Sequence, residues 1–470
     1  MKSKFDLLIV GGGIFGATAL WHAARRGISA CLIDRSDFGS GASSSSMKIL
    51  HGGLRYLQSA DFRRSLESIR ERRRLLRLAP SRIERLPCRQ DPKGCGPLFP
   101  WLLRTGLLLN NIISIRGNVG VQKDKQIPPA RYPFWYDGLM TDTERLLIDF
   151  IRAAHEIGGS SIAARNYAGI IRTLEKDGRI TGMEIRDHGK IEAGAILYCT
   201  GPAGGVRPAV LAINLLVDRL PLNRDGTAVA MRHPGDGRNV FFVPWRDRSI
   251  IGTINRSYPY DPAEKFRFDS AWLNEAIDWL RPVHPDLSRL SPSDIRFIHA
   301  GLLPGDLSGG IDPSHKDTLR RRGGGGWELQ GVKYTTACGV SEKAVERISR
   351  EMGISIPKRP ADDRPMLPDM AAARERWIAA DPSRQELLDS PGLRIRRGDL
   401  LFAVEEEWAL TIGDILLRRT GLAAAGHPGR RLVDLTSRIV QDHFGFEEGE
   451  RMRQVDDFND DWRFAGNIPG

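Results

Sequence analysis

The feature that most constrains the fold is a glycine motif at the N-terminus of the chain. Residues 6–16 read DLLIVGGGIFG, and Asp34 ends the next apolar run, CLID. In such a motif Gly11 permits a tight turn, Gly13 lets the backbone approach a pyrophosphate, and Gly16 lets the following helix pack on the strand. An acid at the end of the second strand accepts a hydrogen bond from a ribose hydroxyl. The pattern predicts a Rossmann-like βαβ unit that binds a dinucleotide, either NAD or FAD.

Composition limits the class of protein. The 470 residues suffice for several domains with a substantial core. The chain has 69 Lys and Arg against 58 Asp and Glu, a net charge of +11, which favours anionic substrates or an anionic membrane surface. No zinc pattern, basic tail or aromatic–basic RNA motif accompanies this charge, so we expect no nucleic-acid partner and no metal. The five cysteines form no CxxC pair, which favours a reducing compartment.

Two further observations bear on location. The N-terminus passes directly into the first apolar strand, so we expect no signal peptide. No run of roughly 18 uncharged apolar residues exists, so we expect no membrane-spanning helix. We therefore expect a cytoplasmic protein.

Glycine-rich, proline-rich and helix-capping positions along the chain predict the order of the later elements. A Gly/Ser-rich loop at 36–56 precedes a helix that Asp61 caps and that runs to Leu78. The predicted elements after it are a helix over 143–157, strands over 160–198 with a turn at 176–178, a strand over 195–199, an antiparallel meander over 227–232, 239–244 and 249–254, and a helix over 335–350. After four prolines between 357 and 368 the pattern becomes mostly helical, which indicates a separate C-terminal domain.

This order favours FAD over NAD. An NAD-binding domain would continue with βαβ units after the acid, whereas here a long Gly/Ser loop follows it. The run AILYCTGP at 195–202 is typical of a strand that returns to the dinucleotide before a glycine turn. The segment 331–347 starts a new helix, whose N-terminal N–H groups suit the electron-rich pyrimidine end of a flavin.

Several runs resemble one family of flavoproteins. Residues 40–57, SGASSSSMKILHGGLRYL, are similar to the signature of FAD-dependent glycerol-3-phosphate dehydrogenases, which belong to the glycine oxidase and D-amino-acid oxidase superfamily. The similarity covers nearly the whole chain and continues through 67–80, 241–253, 331–336 and 405–422.

The resemblance implies an α/β fold, α+β overall, with three units. A discontinuous Rossmann-like FAD-binding domain would take 1–85, 140–210 and 295–355. A substrate domain built on an antiparallel sheet would take 86–139 and 211–294. A helical C-terminal domain would take 360–450, followed by a tail at 451–470.

The resemblance also implies a reaction. The family transfers a hydride from C2 of glycerol 3-phosphate to flavin N5, and the electrons pass to quinone or, in some members, to oxygen. Such chemistry needs a group that takes the hydroxyl proton and cations that hold the phosphate.

Matching motifs carries functional roles onto this sequence. The resemblance implies His51, Arg55 and Lys333 as catalytic residues. The implied cofactor-binding residues are Gly11, Gly13, Ile14, Phe15, Gly16, Asp34, Arg35, Ser43, Ser44, Lys48, Leu50, His51, Gly52, Gly201, Gly331, Lys333 and Thr335. Structural alternatives exist for the three catalytic residues: Arg55 as an ion-pair partner, His51 as a hydrogen-bond partner of backbone or flavin, and Lys333 as a donor to nearby carbonyls.

The sequence departs from the family pattern on the substrate side. Thr227 stands where the family has a histidine, and Leu303 stands where it has a substrate-binding arginine; Asn255 and Met47 are smaller departures. Leucine cannot replace a bidentate phosphate clamp. The cations that could compensate are Arg224, Arg256 and Arg296.

An apolar block at 98–115 has two interpretations. Arg104 and Asn111 would share one face of an otherwise apolar helix, which either lies in a membrane interface or is buried between domains. The positive net charge favours attachment to anionic lipid at the inner face of the membrane.

Three functions stay open at this point. The first is an FAD-dependent dehydrogenase of a small hydroxylated substrate, with or without a phosphate, that passes electrons to quinone or another acceptor. The second is an FAD-dependent amine or amino-acid oxidase or dehydrogenase. The third is a non-catalytic flavin-binding subunit.

Overall fold

The computed structural model describes residues 3–53, 61–93, 105, 134–204, 209–259, 268–305, 313, 317–354, 368–388 and 395–465. The predicted Arg55 lies outside these residues, and so does the apolar block 98–115 apart from Thr105. Among the described residues, no helix is both long enough and apolar enough to cross a membrane.

The described part of the chain contains strands in two large sheets and one small one. The strands are β1 (Lys4–Val10), β2 (Ala30–Ile33), β3 (Ile49–Leu50), β4 (Ile83–Gln90), β5 (Phe134–Met140), β6 (Ile162–Arg165), β7 (Ile170–Lys176), β8 (Arg179–Ile185), β9 (Gly189–Tyr198), β10 (Ala209–Asp218), β11 (Ala228–Arg232), β12 (Asn239–Trp245), β13 (Arg248–Tyr258), β14 (Ile295–Pro304), β15 (Thr318–Arg321), β16 (Trp327–Gln330), β17 (Leu387–Leu388) and β18 (Ile395–Arg396).

Helices pack on these sheets and form the C-terminal part. They are α1 (Ile14–Arg25), α2 (Phe62–Leu78), α3 (Thr143–Gly158), α4 (Ser270–Leu280), α5 (Tyr334–Glu351), α6 (Pro368–Ala379), α7 (Arg397–Glu406), α8 (Arg430–Phe444) and α9 (Glu448–Ala465). The mixed sheet-and-helix architecture confirms the predicted α/β class.

The first sheet carries the N-terminal glycine motif. Its main order is β15-β16-β9-β1-β2-β6, with the β7–β8 hairpin attached to β9. Strands β16, β9, β1, β2 and β6 run parallel. Strand β1 is apolar and buried on both faces: Leu7 and Ile9 pack with the helices, and Phe5, Leu8 and Val10 pack with residues of β8 and β9. Small side chains on α1, among them Ala17, Ala19 and Ala23, are fully buried and let this helix pack closely against α3 and α5.

The second sheet has the order β14-β10-β13-β12-β11-β4-β5-β3 and is mostly antiparallel. Strands β11, β12 and β13 form the predicted meander, with Arg246 and Asp247 in the tight turn. The structure differs from the predicted domain division at more than one place: β3, within the predicted FAD-binding segment 1–85, pairs with β5 of the second sheet. Residues 295–304 were assigned to the FAD-binding domain, but β14 pairs with β10 from Ile295 to Pro304 and therefore belongs to the second sheet.

The C-terminal helices pack against this second sheet. Trp462 and Phe458 of α9 are buried in one core cluster with Leu216 and Phe297. The indole N–H of Trp462 donates to the carbonyl of Ala423 at 3.1 Å. The predicted tail at 451–470 is therefore wrong for residues up to 465, because these aromatic side chains make the last helix part of the core.

Buried ion pairs connect the C-terminal part to the first sheet. Asp37, in the loop after β2, accepts hydrogen bonds from Arg419 at 2.7 and 2.8 Å and from Arg418 at 2.5 Å. Burial alone would raise the pKa of Asp37, but the charges of the two arginines hold it well below its usual range. Arg145 of α3 binds Glu407 in the same way, through two nitrogens. The loop after β2 is thus fixed from the far end of the chain.

We predict that Asp37→Asn destabilises the protein by about 3–5 kcal/mol, because it leaves the buried Arg419 without its carboxylate, whereas Arg418 keeps Asp414. Asp218 is the matched control, since it also accepts from two arginines, Arg248 and Arg296, but its side chain is 57% exposed. Asp218→Asn should cost less than about 1 kcal/mol. Urea unfolding measures both changes, and equal losses would contradict the role assigned to Asp37.

Candidate active site

Four loops that bear predicted cofactor residues meet at one edge of the first sheet. Gly11 follows β1, Asp34 follows β2, Gly201 follows β9 and Gly331 follows β16. These four strands are parallel neighbours, so their carboxyl ends lie side by side. Ligands of such sheets bind at this edge, where the strand order reverses.

Glycines at this edge let backbone segments approach each other more closely than side chains would allow. A Cβ on Gly11, whose φ is +108°, would lie 2.5 Å from the carbonyl oxygen of Cys199. A Cβ on Gly16 would lie 1.9 Å from the carbonyl oxygen of Gly11. Gly201 has φ +60° and faces open space. Gly11 and Gly16 therefore allow the close packing of turn, strand and helix that the dinucleotide motif predicts.

Ser43 connects the Gly/Ser-rich loop to the start of α1. Its Oγ accepts from the N–H of Ile14 at 3.0 Å, and it lies 3.2 Å from where a Cβ on Gly13 would be. Ala42 and Ser45 of the same loop touch Gly301 of β14, which has no room for a side chain. The loop therefore lies between the two sheets, against the helix end where Ile14, Phe15 and Gly16 begin α1.

Asp34 is held as predicted for a ribose-binding acid. Its carboxylate accepts from the N–H of Gly12 at 2.6 Å and from the N–H of Ser36 at 2.8 Å. A carboxylate can accept about four hydrogen bonds, so acceptor capacity remains for ribose hydroxyls. Burial raises the pKa of Asp34 to about 6, although the two backbone N–H groups lower it.

The start of α5 supplies a second set of backbone donors. Lys333 is its N-cap, in extended conformation and with no side-chain cap, so the N–H groups of the first turn, which includes the buried Thr335, have no partner within the helix. Gly331 approaches the ring of Phe15 so closely that a Cβ would lie 2.1 Å from it. The start of α5 thus offers backbone donors to a ligand at this edge, and the role of these residues toward a flavin stays a prediction.

Asp317 lies beside the start of α5 and was not predicted. Its carboxylate accepts from the hydroxyl of Thr336, in the first turn of α5, at 3.0 Å. Burial raises the pKa of Asp317 to about 6. No motif marks this position, which lies just before a short edge strand.

His51 and Asp137 form a hydrogen-bonded pair at the end of the Gly/Ser-rich loop. His51 Nδ1 lies 3.2 Å from the Asp137 carboxylate; the imidazole is 48% exposed and the carboxylate 4%. The His51 ring packs on Phe241, with centroids 5.1 Å apart. Asp137 was not predicted, although a lone acid within the aromatic strand FWYDGLM is a signal that could have found it.

Further donors keep Asp137 ionised. The N–H of Gly52 donates to it at 2.7 Å, Arg72 at 2.9 Å and the indole of Trp135 at 3.2 Å. Burial alone would raise the pKa of Asp137, but the hydrogen bond and charge of His51, together with Arg72, hold it below its usual value. Gly52 itself has no room for a side chain, since a Cβ would lie 2.2 Å from Arg72.

Lys48, predicted as a cofactor-binding residue, has its side-chain ammonium paired within the protein. It is fully buried, and its ammonium donates to the Ser44 carbonyl at 2.9 Å, to the Thr143 hydroxyl at 2.7 Å and to Glu144 at 2.7 Å. These three bonds use all three ammonium protons. Lys48 therefore anchors the loop to α3, and Leu50, two residues on, is buried in β3. Ser44 supplies the carbonyl for this anchor.

The substrate-side departures are visible in the second sheet. Thr227 is buried, and its backbone is held by Asp225 at 3.0 Å and Asn223 at 2.8 Å. Leu303 is half-buried in β14, opposite Val210.

Two of the three candidate cations are already paired. Arg256 binds Glu275 and Arg296 binds Asp218. Arg296 also lies seven residues from Leu303 along β14, about 23 Å away at a strand's rise. Arg224 is exposed, three residues before Thr227. Neither Arg256 nor Arg296 replaces the missing guanidinium.

We predict that dinucleotide affinity falls as the pH falls through about 6, because protonation of Asp34 turns an acceptor oxygen into a donor. Asp34→Asn should bind FAD about tenfold more weakly at neutral pH and show no pH step near 6. Fluorescence of released FAD measures both effects.

Asp317→Asn is the control, because the pKa of Asp317 is raised to about 6 as well. This variant should keep the step. A step that survives in Asp34→Asn and vanishes in Asp317→Asn would contradict the assignment.

Comparisons with known proteins agree with this geometry. Residues 6–341 match the DAO family of FAD dependent oxidoreductases. The chain is 24% identical to a glycerol-3-phosphate dehydrogenase of Synechocystis, over 98% of this chain and 96% of that protein, and 28% identical to one of Pseudomonas tolaasii, over 90% and 92%. The fold resembles the glycerol-3-phosphate dehydrogenase from Bacillus halodurans complexed with FAD, with a TM-score of 0.73, 20% identity and coverage of 99% and 95%. The chain belongs to the DAO family and is an FAD-dependent oxidoreductase.

Proposed function

We propose that this oxidoreductase removes a hydride from a carbon that bears a hydroxyl group, with His51 as the group that takes the hydroxyl proton. The observation that carries the proposal is the half-exposed His51 imidazole, oriented by the buried Asp137 at 3.2 Å. This pair lies at the end of the loop that joins the dinucleotide edge to the second sheet. A base held by a carboxylate is the arrangement that general-base catalysis uses.

The chain's own residues set the protonation of this base. Asp137 accepts from Nδ1–H and so leaves the lone pair of His51 Nε2 for the substrate proton. The imidazolium that forms is stabilised by the same carboxylate, which Arg72 and Gly52 keep ionised. When bound, FAD supplies the hydride acceptor at N5.

Glycerol 3-phosphate is the first substrate to test, because relatives over nearly the whole chain are glycerol-3-phosphate dehydrogenases. We propose Lys333, at the positive end of α5, and Arg55 as the groups that hold the substrate. Leu303 and Thr227 argue for a hydroxylated substrate that is held by fewer cations than the family pattern provides. We propose quinone or another small acceptor for the electrons.

We also propose that the enzyme attaches peripherally to the anionic inner face of the cytoplasmic membrane. Three arginines of α2, Arg63, Arg70 and Arg77, are exposed at seven-residue spacing and share one helix face. The net charge of +11 supports the same surface.

We expect the holoenzyme to sediment with vesicles of phosphatidylglycerol but not of phosphatidylcholine. Arg70→Glu should lower the bound fraction, because reversing one charge weakens the free energy of membrane binding by about 2 kcal/mol at low salt. Glu84→Gln, on an exposed position of β4, is the control. Equal binding to both vesicles, or no effect of Arg70→Glu, would contradict the proposal.

The proposed reaction is tested by anaerobic reduction of the bound flavin. We expect glycerol 3-phosphate or a related hydroxylated compound to bleach the flavin absorbance. We further expect Asp137→Asn to slow the bleaching by about 10²–10⁴-fold with FAD content unchanged, because His51 loses its preferred tautomer.

Asp137→Glu should restore part of the rate, and Glu84→Gln should leave it unchanged. Bleaching by an amine or amino acid alone would favour the oxidase alternative. No bleaching by any of these compounds would favour a non-catalytic flavin subunit.

A further inference from the structure

A second cavity lies away from the flavin-binding edge. It has a volume of about 580 Å³ and is bounded by α6 and α7 of the C-terminal part, the residues around the start of α3, and the β12–β13 turn. Six of the described arginines line it: Arg82, Arg145, Arg246, Arg374, Arg396 and Arg419. None of the lining residues that the structure describes belongs to the candidate active site. Its size is that of a small-molecule site.

The three carboxylates that line this cavity are already paired. Asp399 lies 2.6 Å from Arg374 and 3.3 Å from Arg396. Glu375 binds Arg396 through both oxygens, at 2.7 and 2.8 Å. Asp142 lies 3.5 Å from Arg246. The described part of the cavity wall therefore has twice as many arginines as carboxylates, and each of the three carboxylates already has an arginine partner.

Three of the arginines keep donors that the described residues do not use, among them the buried Nε of Arg145. Arg82 donates through Nε to Asp149 at 2.8 Å, and no described acceptor pairs with its two terminal nitrogens. The Nε of Arg374 is buried and has no hydrogen-bond partner in the described part of the chain. Burial lowers the pKa of Arg374, and the charges of Arg145 and Arg82 lower it further. An anion in the cavity could accept hydrogen bonds from the terminal nitrogens of Arg82, which no described residue uses.

We propose that this cavity binds a small organic phosphate. Arg82, Arg246 and Arg374 reach it from three different elements, which suits the three free oxygens of a phosphate group better than a flat carboxylate. Leu387, Ile395 and Leu422 provide an apolar wall for the rest of the ligand.

Such a ligand would contact two parts of the protein that are far apart in the sequence. Arg374 and Arg396 belong to the C-terminal part, whereas Arg82 and Asp142 belong to the elements beside the first sheet. Asp142 caps α3, accepting from the N–H of Arg145 at 3.1 Å, and the next residue, Thr143, accepts from the hydroxyl of Tyr334, beside Lys333, at 2.8 Å. Binding should therefore stabilise the docking of the C-terminal helices.

The test uses the FAD-loaded protein, titrated with inorganic phosphate, 3-phosphoglycerate and malonate and followed by calorimetry and thermal unfolding. We expect saturable binding of 3-phosphoglycerate at a site separate from the active site, weaker binding of phosphate, weaker binding still of malonate, and a rise in unfolding temperature on binding. Arg374→Gln should weaken binding by about tenfold or more.

Two controls locate the site. Arg376→Gln changes an exposed arginine of the same helix that does not line the cavity and should bind as the parent protein does. Lys333→Gln alters the candidate active site and should also leave this binding unchanged. Arg82→Gln serves as the second variant should Arg374→Gln lose its FAD or its circular dichroism spectrum.

Four outcomes would overturn the proposal. They are no saturable binding at millimolar concentration, equal binding of malonate, loss of binding in Lys333→Gln, and an equal loss in Arg376→Gln and Arg374→Gln. The third would place the phosphate in the active site, and the fourth would show a general effect of charge.

Discussion

The edge that carries the glycine motif depends on backbone segments that lie too close together for a side-chain methyl group to fit between them. Gly16 lets α1 rest on the carbonyl of Gly11, and Gly11 lets its own turn rest on the carbonyl of Cys199. This contact sets where the start of α1 lies, and so where the N–H of Ile14 meets Ser43. The positions of the Gly/Ser-rich loop and of both sheets follow from it.

The Gly/Ser-rich loop connects the start of α1 to His51. One end is held at α1, the buried Lys48 ties its middle to α3, and His51 follows three residues later against Asp137. A fixed ammonium with all of its protons bound gives the loop one conformation. The active-site imidazole is therefore positioned by residues that need no contact with the substrate.

Local signals in the sequence predicted the local structure well. The glycine motif, the Asp61 cap and the meander depend on neighbours in the chain, and the structure contains all three. Long-range polar pairs could not be predicted, since nothing near Asp37 indicates that its partner is Arg419, 382 residues away. For the same reason the sequence does not indicate that the Lys48 ammonium pairs with Glu144, or that Trp462 of α9 is buried against Ala423.

The pairing of Asp37 with Arg418 and Arg419 also determines when the flavin-binding edge is completed during synthesis. A chain emerging from the ribosome presents β1, α1 and β2 first, but the acid after β2 lacks its guanidinium partners until residues 418 and 419 have emerged. Phe38, the next residue, packs so closely on Gly12 that a Cβ there would lie 2.4 Å from its ring. The first part of the cofactor site to be translated is therefore among the last to reach its final contacts.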